Sequence, residues 1–434
     1  MWVIIVKQRF DAIVVGAGPS GCACGYSPAK AGLETLVVER GKFAGAKNMW
    51  GGAFYGPTLF QLFPHFWEEA PIERYILRHR FSLLTQDSSL SAEFTTKKFG
   101  EPPYNGFSVL RAKFDRWFAS KAEQAGAIIA TGLQAEDLIW DRNTVAGIKA
   151  GGDELPASVV IACDGVNSDL TDKAGLRGKL SSRDIKQGVK EVIQIPRQLL
   201  EQRFNLSGEE GIAWEFIGSF TRGIPGGAFI YTNKESLSVG IVAQLSALCE
   251  KKIGANDLLE DFKQHPSVAP LLAGGNLVEY SAHLIPTSGK AMIPTLYSDG
   301  FLVAGDAASF VLATGLTLEG ANFAIASGTA AAEAVIRAKQ KRDFSKKSLS
   351  CYPELLKQSF VLKDLKTFKK ASFFLENSRI YSQYPELACD LANKIFTNDG
   401  KPRKKIWKLL KNSMKDRVAF LEILRDLIQI KRAL

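Results

Sequence analysis

Near the start of the chain, short apolar runs alternate with a segment of small residues. Residues 10–15 (FDAIVV) and 35–40 (TLVVER) are rich in β-branched side chains, which predicts two buried strands. The segment between them opens with glycines and continues to Gly32 in small residues, which predicts a helix. Strand, glycine turn, helix and strand together form the pattern of a βαβ unit in a parallel sheet.

The glycine turn carries the spacing G-x-G-x-x-G. Gly16 permits a tight turn, and Gly18, followed by Pro19, lets the backbone approach a pyrophosphate. Gly21 lets the helix pack closely on the strand, and the helix N-terminus then faces the anion. The spacing therefore predicts a dinucleotide-binding turn.

The second strand ends in Glu39 and Arg40. Glu39 follows Gly21 by 18 residues, which places its carboxylate to accept hydrogen bonds from a ribose diol and predicts an adenosine dinucleotide without a 2′-phosphate. The helix itself carries two unfavourable residues. Pro28 removes a backbone donor at a cost of about 3 kcal/mol, and Gly25 weakens the helix further. We therefore expect a kink or an early end there.

Two later strands end in acidic turns that distinguish between cofactors. Residues 158–168 (SVVIACDGVNS) run into Asp164 and Gly165, and the strand that begins FLVAGDA at Phe301 runs into Gly305 and Asp306. Each motif alone is compatible with an aspartate that caps the next helix. The second, however, resembles the GD signature of FAD proteins, in which the aspartate binds ribityl hydroxyls. Together with the glycine turn, the order of the motifs favours FAD over NAD.

The order of these motifs resembles the p-hydroxybenzoate-hydroxylase-like FAD superfamily. In that resemblance, Arg111 within SVLRAKFDRWF contacts the ribityl-phosphate region, although the residue is also compatible with a solvated arginine at the start of a helix. The resemblance further implies that the loop after Asp306 directs amides at the flavin pyrimidine. That loop contains Gly315, Leu316, Thr317 and Leu318.

Within that superfamily, the sequence is similar to the FixC family, the relatives of electron-transfer-flavoprotein:quinone oxidoreductase. The similarity spans about residues 10–400 and is carried by ERGKFAGAKNMWGGAFY, FSVLRAKFDRW, ACDGVNS, DIKQGVKEVIQIP, GGAFIYTNKESLSVGIV, DFKQHPSVAPLLAGGNLVEYSAHLIP, GANFAIASG and YPELACDLANKIFTNDG. By this resemblance Lys47, Asn48 and Gly52 lie beside the isoalloxazine ring. The same glycine-rich stretch is also compatible with a plain connector.

The resemblance implies an α/β fold: a Rossmann-like FAD-binding domain of the p-hydroxybenzoate-hydroxylase/glutathione-reductase type, an inserted β-rich substrate domain and a C-terminal helical region. We expect these parts at 1–170 and 286–342 (FAD-binding, with 50–100 partly in the second domain), 171–285 (β-rich, quinone or substrate) and 343–434 (helical, with a basic tail). Alternating runs such as GIAWEFIGSF and GAFIYT predict strands in the middle part. Their aromatic residues either line a quinone pocket or form core: Trp214, Phe216, Phe229 and Tyr231.

The resemblance to FixC proteins implies a function in electron transfer. Electrons pass from a FixA/FixB-like electron-transfer flavoprotein through FAD toward quinone, and membership of an electron-bifurcating complex is a further option. An iron–sulfur cluster would sit on a separate FixX-like ferredoxin subunit, because the six cysteines of this chain show no cluster spacing. FAD carries the electrons, so no catalytic acid or base is assigned. Neither the cysteines nor the four histidines predict a metal site.

Composition bounds these expectations. With 434 residues, 46% of them hydrophobic and 23% charged, the chain is an enzyme-sized globular protein, which excludes disorder, a disulfide miniprotein and a fibrous repeat. Residues 401–434 hold eleven Lys/Arg and three Asp/Glu, so most of the net charge of +10 belongs to this tail. A nucleic-acid surface over the whole body is therefore excluded.

The tail also suggests where the protein resides. Its apolar residues recur at helical spacing between lysines, which fits either anionic lipid headgroups, an acidic partner, or a terminal helix docked on its own domain. No signal peptide or transmembrane run is predicted, and the scattered cysteines indicate a reducing compartment. We expect a cytoplasmic protein bound peripherally to the inner face of the membrane.

Other functions remain compatible with the same FAD motifs. A geranylgeranyl-reductase-like enzyme would reduce lipid double bonds without flavoprotein partners. A flavin monooxygenase is disfavoured by the FixC-like middle segments. A subunit that binds FAD without catalysis would retain the same glycines and acids.

Overall fold

The computed structural model describes residues 9–46, 52–287, 289–315, 317–415 and 417–434. Lys47 and Asn48, which the FixC resemblance places beside the flavin ring, lie outside these residues, as does Leu316 of the loop after Asp306.

The first part of the chain supplies strands to two different sheets. Its elements are β1 (Phe10–Val15), α1 (Pro19–Lys30), β2 (Thr35–Glu39), β3 (Ala53–Tyr55), α2 (Gly56–Leu62), β4 (Ile72–Leu84), β5 (Ser89–Thr95), β6 (Gly106–Val109), α3 (Arg111–Gln124), β7 (Ile128–Thr131), β8 (Ala135–Asp141), β9 (Thr144–Ala150), β10 (Asp153–Ala162) and α4 (Asp169–Lys173). The predicted strand at 10–15 is confirmed at those bounds, and the helix that follows it is confirmed as well.

The middle part is dominated by long antiparallel strands. Its elements are β11 (Ile185–Gln194), α5 (Arg197–Phe204), β12 (Glu210–Gly218), β13 (Gly226–Thr232), β14 (Ser236–Gln244), α6 (Leu245–Lys251), α7 (Ala255–Gln264), α8 (Ala269–Leu272) and β15 (Asn276–Pro286). The strands predicted from the alternating runs are confirmed here.

The last part returns to the first sheet and then becomes helical. Its elements are β16 (Tyr297–Ser298), β17 (Phe301–Val303), β18 (Leu312–Ala313), β19 (Leu318–Glu319), α9 (Ala321–Lys341), α10 (Lys346–Leu349), α11 (Cys351–Gln358), α12 (Phe360–Thr367), α13 (Ala371–Phe374), α14 (Gln383–Phe396), α15 (Ile406–Lys415) and α16 (Phe420–Ala433). Among the described residues, no helix is both long enough and apolar enough to cross a bilayer.

The first sheet has the strand order β16-β17-β10-β1-β2-β7, with the hairpin β8–β9 continuing from β10. Strand β1 is parallel to both β10 and β2, and β10 is parallel to β17. Because these strands are covered on both faces, β1, β2, β17 and residues 155–162 of β10 are largely apolar and contain no exposed residue. The carboxyl ends of β1, β2, β10 and β17 therefore lie at one edge of this sheet.

Helix α1 packs on this sheet through glycines. A Cβ on Gly25 would lie 2.7 Å from Cγ2 of Val37 on β2, so a larger residue there would push the helix off the strand. Gly25, which weakens the isolated helix, thus serves tertiary packing. The helix continues past Pro28 for only two residues and ends at Lys30. The helix therefore runs through Gly25 and Pro28, and the early end expected there is wrong; the helix ends where Gly32, with a φ of +82°, permits the left-handed turn that follows a helix.

The second sheet has the strand order β15-β11-β14-β13-β12-β4-β6-β3, with β5 paired to the edge of β4. It combines strands from the middle of the chain with β3 to β6 from the first part. One face packs on helices around an apolar core that includes Val189, Trp214, Phe216, Ile230 and Phe262. Since side chains alternate along a strand, the neighbouring positions point to the opposite face.

Candidate functional site

A cavity of about 550 Å³ lies where the two sheets meet. One side is formed by the carboxyl-terminal edge of the first sheet and the start of α1. The other side is formed by the second sheet, and residues of α13, α14 and α16 complete the wall. Ligands of α/β proteins bind at this edge of a parallel sheet. The cavity is therefore the candidate functional site.

Two glycines of the turn after β1 are required by close contacts. A Cβ on Gly16 would lie 2.4 Å from the carbonyl oxygen of Cys163, and Gly16 also has a φ of +102°. A Cβ on Gly21 would lie 1.7 Å from the carbonyl oxygen of Gly16. Side chains at either position would displace the turn, so the glycine spacing builds a narrow backbone cradle.

The start of α1 faces the cavity through Gly18, Pro19 and Ser20. Gly18 is the N-cap in an extended conformation and makes no side-chain cap, and Pro19 occupies the first turn, where its lack of an N–H costs nothing. The remaining amides of this turn and the helix dipole favour a negatively charged group in the cavity.

Glu39 lies at the end of β2, and its carboxylate is held by two backbone donors. The amide of Ala17 donates to Oε2 at 2.9 Å, and the amide of Gly41 donates to Oε1 at 2.7 Å. Glu39 is buried at 5% exposure and lines the cavity. The carboxylate keeps lone pairs that are free to accept from a ligand. Arg40, beside it, is exposed and also lines the cavity.

Arg111 begins α3 and reaches the cavity wall. Its guanidinium donates to both carboxylate oxygens of Asp115, at 2.9 Å and 2.6 Å. This bidentate pair fixes the orientation of the guanidinium in a buried position. A fixed arginine on the cavity wall adds positive charge to the site that already contains the start of α1.

Asp164, at the end of β10, has one carboxylate oxygen without a partner. Oδ1 is buried and has no hydrogen-bond donor within the described residues, whereas Oδ2 accepts from the amide of Leu170 at 3.4 Å. Burial raises the pKa of Asp164 to about 6, and the Leu170 amide opposes that rise. An unsatisfied buried acceptor beside Gly165 on the cavity wall fits a ligand that donates hydrogen bonds.

Asp306 follows β17 and also lines the cavity. Burial raises its pKa to about 6, and the positive charge of Arg111 opposes the rise. Gly305 lies behind it and packs against α1, since a Cβ there would be 2.8 Å from Cβ of Ser20. The Gly305 amide donates to Oγ of Ser327 on α9 at 3.0 Å, which ties the turn to that helix.

The loop between β18 and β19 lies on the cavity wall through Gly315, Thr317 and Leu318. The amide of Thr317 donates to the hydroxyl of Thr314 at 3.2 Å, and the hydroxyl of Thr317 donates to Glu319 at 3.2 Å. Helix α9 begins directly after this hairpin. Backbone groups of the loop and the helix start are thus presented to the cavity.

The structure brings together most of the residues chosen from the sequence. The cavity is lined by Gly16, Gly18, Pro19, Glu39, Arg40, Arg111, Asp164, Gly165, Asp306, Gly315, Thr317 and Leu318. Three other predicted residues, Gly21, Gly52 and Gly305, are not on the lining and have close-packing roles: a Cβ on Gly52 would lie 2.7 Å from the carbonyl oxygen of Val109. Lys47 and Asn48 lie outside the described residues. Which of them bind the cofactor stays a prediction.

Sequence reasoning missed the titratable side chains on the opposite wall. Burial lowers the pKa of Lys186 to about 8, while Glu376 opposes the shift. Burial lowers the pKa of His283 to about 4, and the charges of Arg111 and Arg40 add to this. Both residues line the cavity from β11 and β15. Strand alternation alone does not say which face of the sheet meets the cavity, so no local signal identified them.

The helices of the C-terminal region contribute to the cavity, which the sequence did not indicate. Tyr384 of α14 and Ile430 of α16 lie on its wall. The carboxylate of Asp426 on α16 accepts from Nε and Nη2 of Arg379, at 2.8 Å and 2.7 Å. It also accepts from the hydroxyl of Tyr384 at 2.5 Å. This buried network fixes the end of α16 against the site.

Comparisons with known proteins agree with this geometry. The FAD binding domain family matches residues 11–56, and the ETF-QO/FixC family C-terminal domain matches residues 370–434. The chain is 43% identical to the probable electron transfer flavoprotein-quinone oxidoreductase YdiS of Escherichia coli (strain K12), over 98% of this chain and 99% of that protein. It is also 43% identical to protein FixC of the same strain, over 97% of this chain and 98% of that protein.

A solved structure shares the fold. A geranylgeranyl bacteriochlorophyll reductase-like protein from Thermoplasma acidophilum superposes with a TM-score of 0.73 at 21% identity, covering 97% of this chain and 99% of that one. The family match and these relatives show an FAD-dependent oxidoreductase, with FAD as its cofactor. Within that class, the chain belongs to the FixC and electron-transfer-flavoprotein:quinone oxidoreductase family, as the sequence resemblance predicted.

Proposed function

We propose that the cavity residues chosen from the sequence hold FAD. Glu39 would accept from the adenosine ribose, the turn at Gly16 and Gly18 would bind the diphosphate, and Asp306 would accept from the ribityl hydroxyls. Arg111 adds a fixed positive charge beside these groups. The unpartnered acceptor on Asp164 and the narrow glycine cradle support this assignment. Bound there, FAD supplies the electron-transfer chemistry.

The protein then passes electrons from an electron-transfer flavoprotein through FAD to a quinone. The observation that carries this proposal is one cavity with two unlike walls. The first wall carries dinucleotide-binding groups, and the second is largely apolar, with Phe81, Ile217, Phe229 and Val242 on its lining. A cofactor and a flat apolar acceptor thus have places in the same enclosure.

The quinone ring has a suitable surface on β13. Phe229 and Tyr231 line the cavity and lie nearly parallel, with ring centroids 4.8 Å apart and an angle of 19° between their planes. Offset stacking on such rings favours a flat, conjugated ligand. Trp214 and Phe216, which the sequence grouped with them, belong to the core under the sheet.

The proposed partners are a FixA/FixB-like flavoprotein and a separate FixX-like ferredoxin subunit. The family name of the relative YdiS, which pairs an electron transfer flavoprotein with a quinone, supports the first partner and the acceptor. An affinity purification of the native full chain, with the flavin spectrum and the co-purifying subunits recorded, tests this assembly. FAD together with two flavoprotein subunits and a small ferredoxin supports it, and reduction of ferredoxin by the complex would extend it to electron bifurcation.

The same preparation distinguishes the close alternative. Similarity in fold to a geranylgeranyl bacteriochlorophyll reductase-like protein and the apolar wall favour, as a second candidate, a reductase of lipid double bonds. FAD without protein partners, and bound flavin that is not bleached by a reduced electron-transfer flavoprotein, would favour that candidate. Bleaching by the reduced flavoprotein would also contradict a purely structural role for FAD.

The C-terminal helices are proposed to rest on an anionic membrane surface at the inner face. Trp407 is 70% exposed and Leu421 is 76% exposed, among lysines and arginines that give the tail its positive charge. Exposed apolar side chains surrounded by basic ones suit the headgroup region of anionic lipids. Residues Ile430 and Leu434 of the same segment line the cavity, which places the site beside this surface.

Flotation with liposomes of anionic lipid tests this attachment on the full chain. Trp407→Gln and Leu421→Gln are expected to lower the liposome-binding constant, measured by flotation, about thirtyfold each, because about 2 kcal/mol of apolar burial is lost. Trp140→Gln is the matched control, since this tryptophan is 43% exposed on β8 of the first sheet. Equal flotation of all the variants would contradict the role of the tail.

A further inference from the structure

Glu215 places a carboxyl group on the apolar wall of the cavity. It lies on β12, between Phe81 on β4 and Phe229 on β13 in the strand register. All three residues line the cavity; of the flanking residues, Trp214 and Phe216 belong to the core cluster under the sheet, and Phe216 also touches the cavity lining. The alternation of β12 therefore directs the carboxyl away from the core and into the site.

This carboxyl has no partner on another residue within the described part of the chain. Within the part of the chain that the structure describes, Glu215 forms no side-chain hydrogen bond or ion pair with another residue. An ionised carboxylate is costly in such surroundings, so the group is held in its protonated form. A protonated carboxyl is a hydrogen-bond and proton donor at the surface of the cavity.

The carboxyl also lies near the elements assigned to the flavin. Tyr55 at the end of β3 interacts electrostatically with both Glu215 and Glu319. Glu319 in turn accepts from Thr317 at 3.2 Å and from Asn322 at 2.8 Å, in the loop and helix start that follow the GD motif. Tyr231, the stacked partner of Phe229, also interacts with Glu215 and Tyr55. Glu215 is thus grouped with the ring-stacking wall and with the predicted flavin loop.

Resting on the proposed function, we propose that Glu215 is the catalytic acid that donates a proton to a carbonyl oxygen of the quinone. The O–H bond of Glu215 breaks as an O–H bond forms on the quinone oxygen. The two electrons and the second proton of the quinol are those that leave the reduced FAD, which returns to its oxidised form. The Glu215 carboxylate then recovers a proton from water that enters through the cavity.

The charges around Glu215 set a pH range for this step. Burial raises the pKa of Glu215 to about 8, so the acid is protonated at pH 7. Burial also raises the pKa of the neighbouring phenols, Tyr231 on β13 and Tyr55 on β3, which therefore stay uncharged. Lys186 lines the same cavity from β11. Proton donation requires the acid form, so the quinone rate falls as the pH rises through about 8.

Stopped-flow reoxidation of the pre-reduced, FAD-loaded full chain tests the proposal. The acceptors are a short-chain ubiquinone analogue, which takes up protons, and ferricyanide, which takes up only electrons. We expect Glu215→Gln to slow quinone reduction about 100-fold at pH 7, to abolish the fall above pH 8 and to leave the ferricyanide rate unchanged. Glu215→Asp is expected to restore part of the quinone rate. Glu210→Gln, on the same strand with its carboxylate 3.7 Å from Arg78, is the matched control.

Each contrary result overturns the proposal in a distinguishable way. A Glu215→Gln variant that matches the wild type with quinone at every pH would show that another group supplies the proton. A variant that is slowed equally with both acceptors would assign Glu215 a structural role only. Wild-type flavin that quinone reoxidises no faster than buffer would refute the quinone function itself, and this step with it.

Discussion

The two walls of the cavity are built in different ways. The wall on the first sheet presents backbone amides, glycines and strand-ending acids whose positions depend on contacts between near neighbours, such as the approach of Gly21 to Gly16. The wall on the second sheet presents residues from seven strands, including Lys186 on β11 and Glu215 on β12. The first wall is suited to bind the cofactor, which is the same group in every turnover. We propose that the second wall determines which acceptor approaches the cofactor.

This difference is sharpest where charge is involved. Two polar groups of the first wall are held by partners, Glu39 by two amides and Arg111 by Asp115, whereas Asp164 on the same wall keeps one carboxylate oxygen without a donor among the described residues. Glu215 on the second wall has no such partner among the described residues, and burial shifts its pKa strongly. Titratable groups with shifted pKa values gather where chemistry is done. We therefore propose that the first wall mainly binds the cofactor and that Glu215 on the second wall supplies the proton.

The largest predicted effect is on the first wall. Gly21→Ala places a Cβ 1.7 Å from the carbonyl oxygen of Gly16, so the turn and α1 must separate, and we expect loss of bound FAD in the purified protein. The absorbance ratio of flavin to protein measures this. Gly178→Ala is the control, because no atom lies within 4 Å of the added Cβ. Full FAD occupancy in the Gly21→Ala variant would show that the glycine turn accommodates a Cβ at this position and still binds FAD.

The next effect lies on the second wall, where the substitution is expected to stabilise the protein instead of weakening it. The pKa of Glu215 is raised from 4.5 to about 8, so the unfolded state releases this proton first and the group destabilises the fold increasingly as pH rises. Glu215→Gln should therefore raise the free energy of unfolding of the apoprotein by about 4 kcal/mol at pH 8, and by nothing near pH 4. Urea unfolding at both pH values, with Glu210→Gln as control, measures the difference. A pH-independent effect would contradict the shift.

A smaller effect, a loss of stability, is expected where Arg379 holds Asp426 of α16. The ion pair with Arg379 holds the pKa of Asp426 down to about 2 from 3.8, so its stabilisation is present above pH 4 and disappears as pH falls through 2. Asp426→Asn should cost about 2 kcal/mol at pH 7. Hydrogen exchange of α16 reports it directly. Asp399→Asn, at an exposed pair 3.8 Å apart, should leave the exchange unchanged.

The smallest effect concerns a single acceptor of the first wall. Asp306→Asn replaces the proposed ribityl acceptor, and we expect FAD affinity to fall about tenfold. Because burial raises the pKa of Asp306 to about 6, wild-type affinity should also weaken below that pH, and the asparagine variant should not share this dependence. Fluorescence titration of apoprotein with FAD checks both, with the exposed Asp141→Asn as control. Equal FAD affinities of the wild type and the Asp306→Asn variant would show that Asp306 does not contribute to FAD binding.

Much of the fold could be predicted because its signals are local. The strand at 10–15, the helix after Gly18 and the strands of the middle part follow from apolar spacing over a few residues. The sequence could not predict that β12 pairs in parallel with β4, which joins residues more than a hundred positions apart. Such register depends on packing of whole faces, and no local pattern records it.

The candidate site was likewise predictable only in part from the sequence. Residues named by a motif, such as Glu39 and Asp306, do line the cavity. Lys186, Glu215 and His283 escaped notice because a charged residue in an alternating strand usually faces solvent. Ile430 and Leu434 were missed for a related reason: an amphipathic helix shows that it has an apolar face, but not which surface that face covers.

The wide separation of the strands that build the first wall has a consequence for synthesis of the protein. Strand β1 lies next to β10, and β10 lies next to β17, so the edge that receives FAD needs residues near 15, 162 and 303 together. A ribosome has made most of the chain before these strands can pair. Long-range parallel pairing is slow. If FAD binds at this edge as proposed, it meets a nearly finished polypeptide, and cofactor supply acts late in biogenesis, when the segment with Ile430 completes the cavity wall.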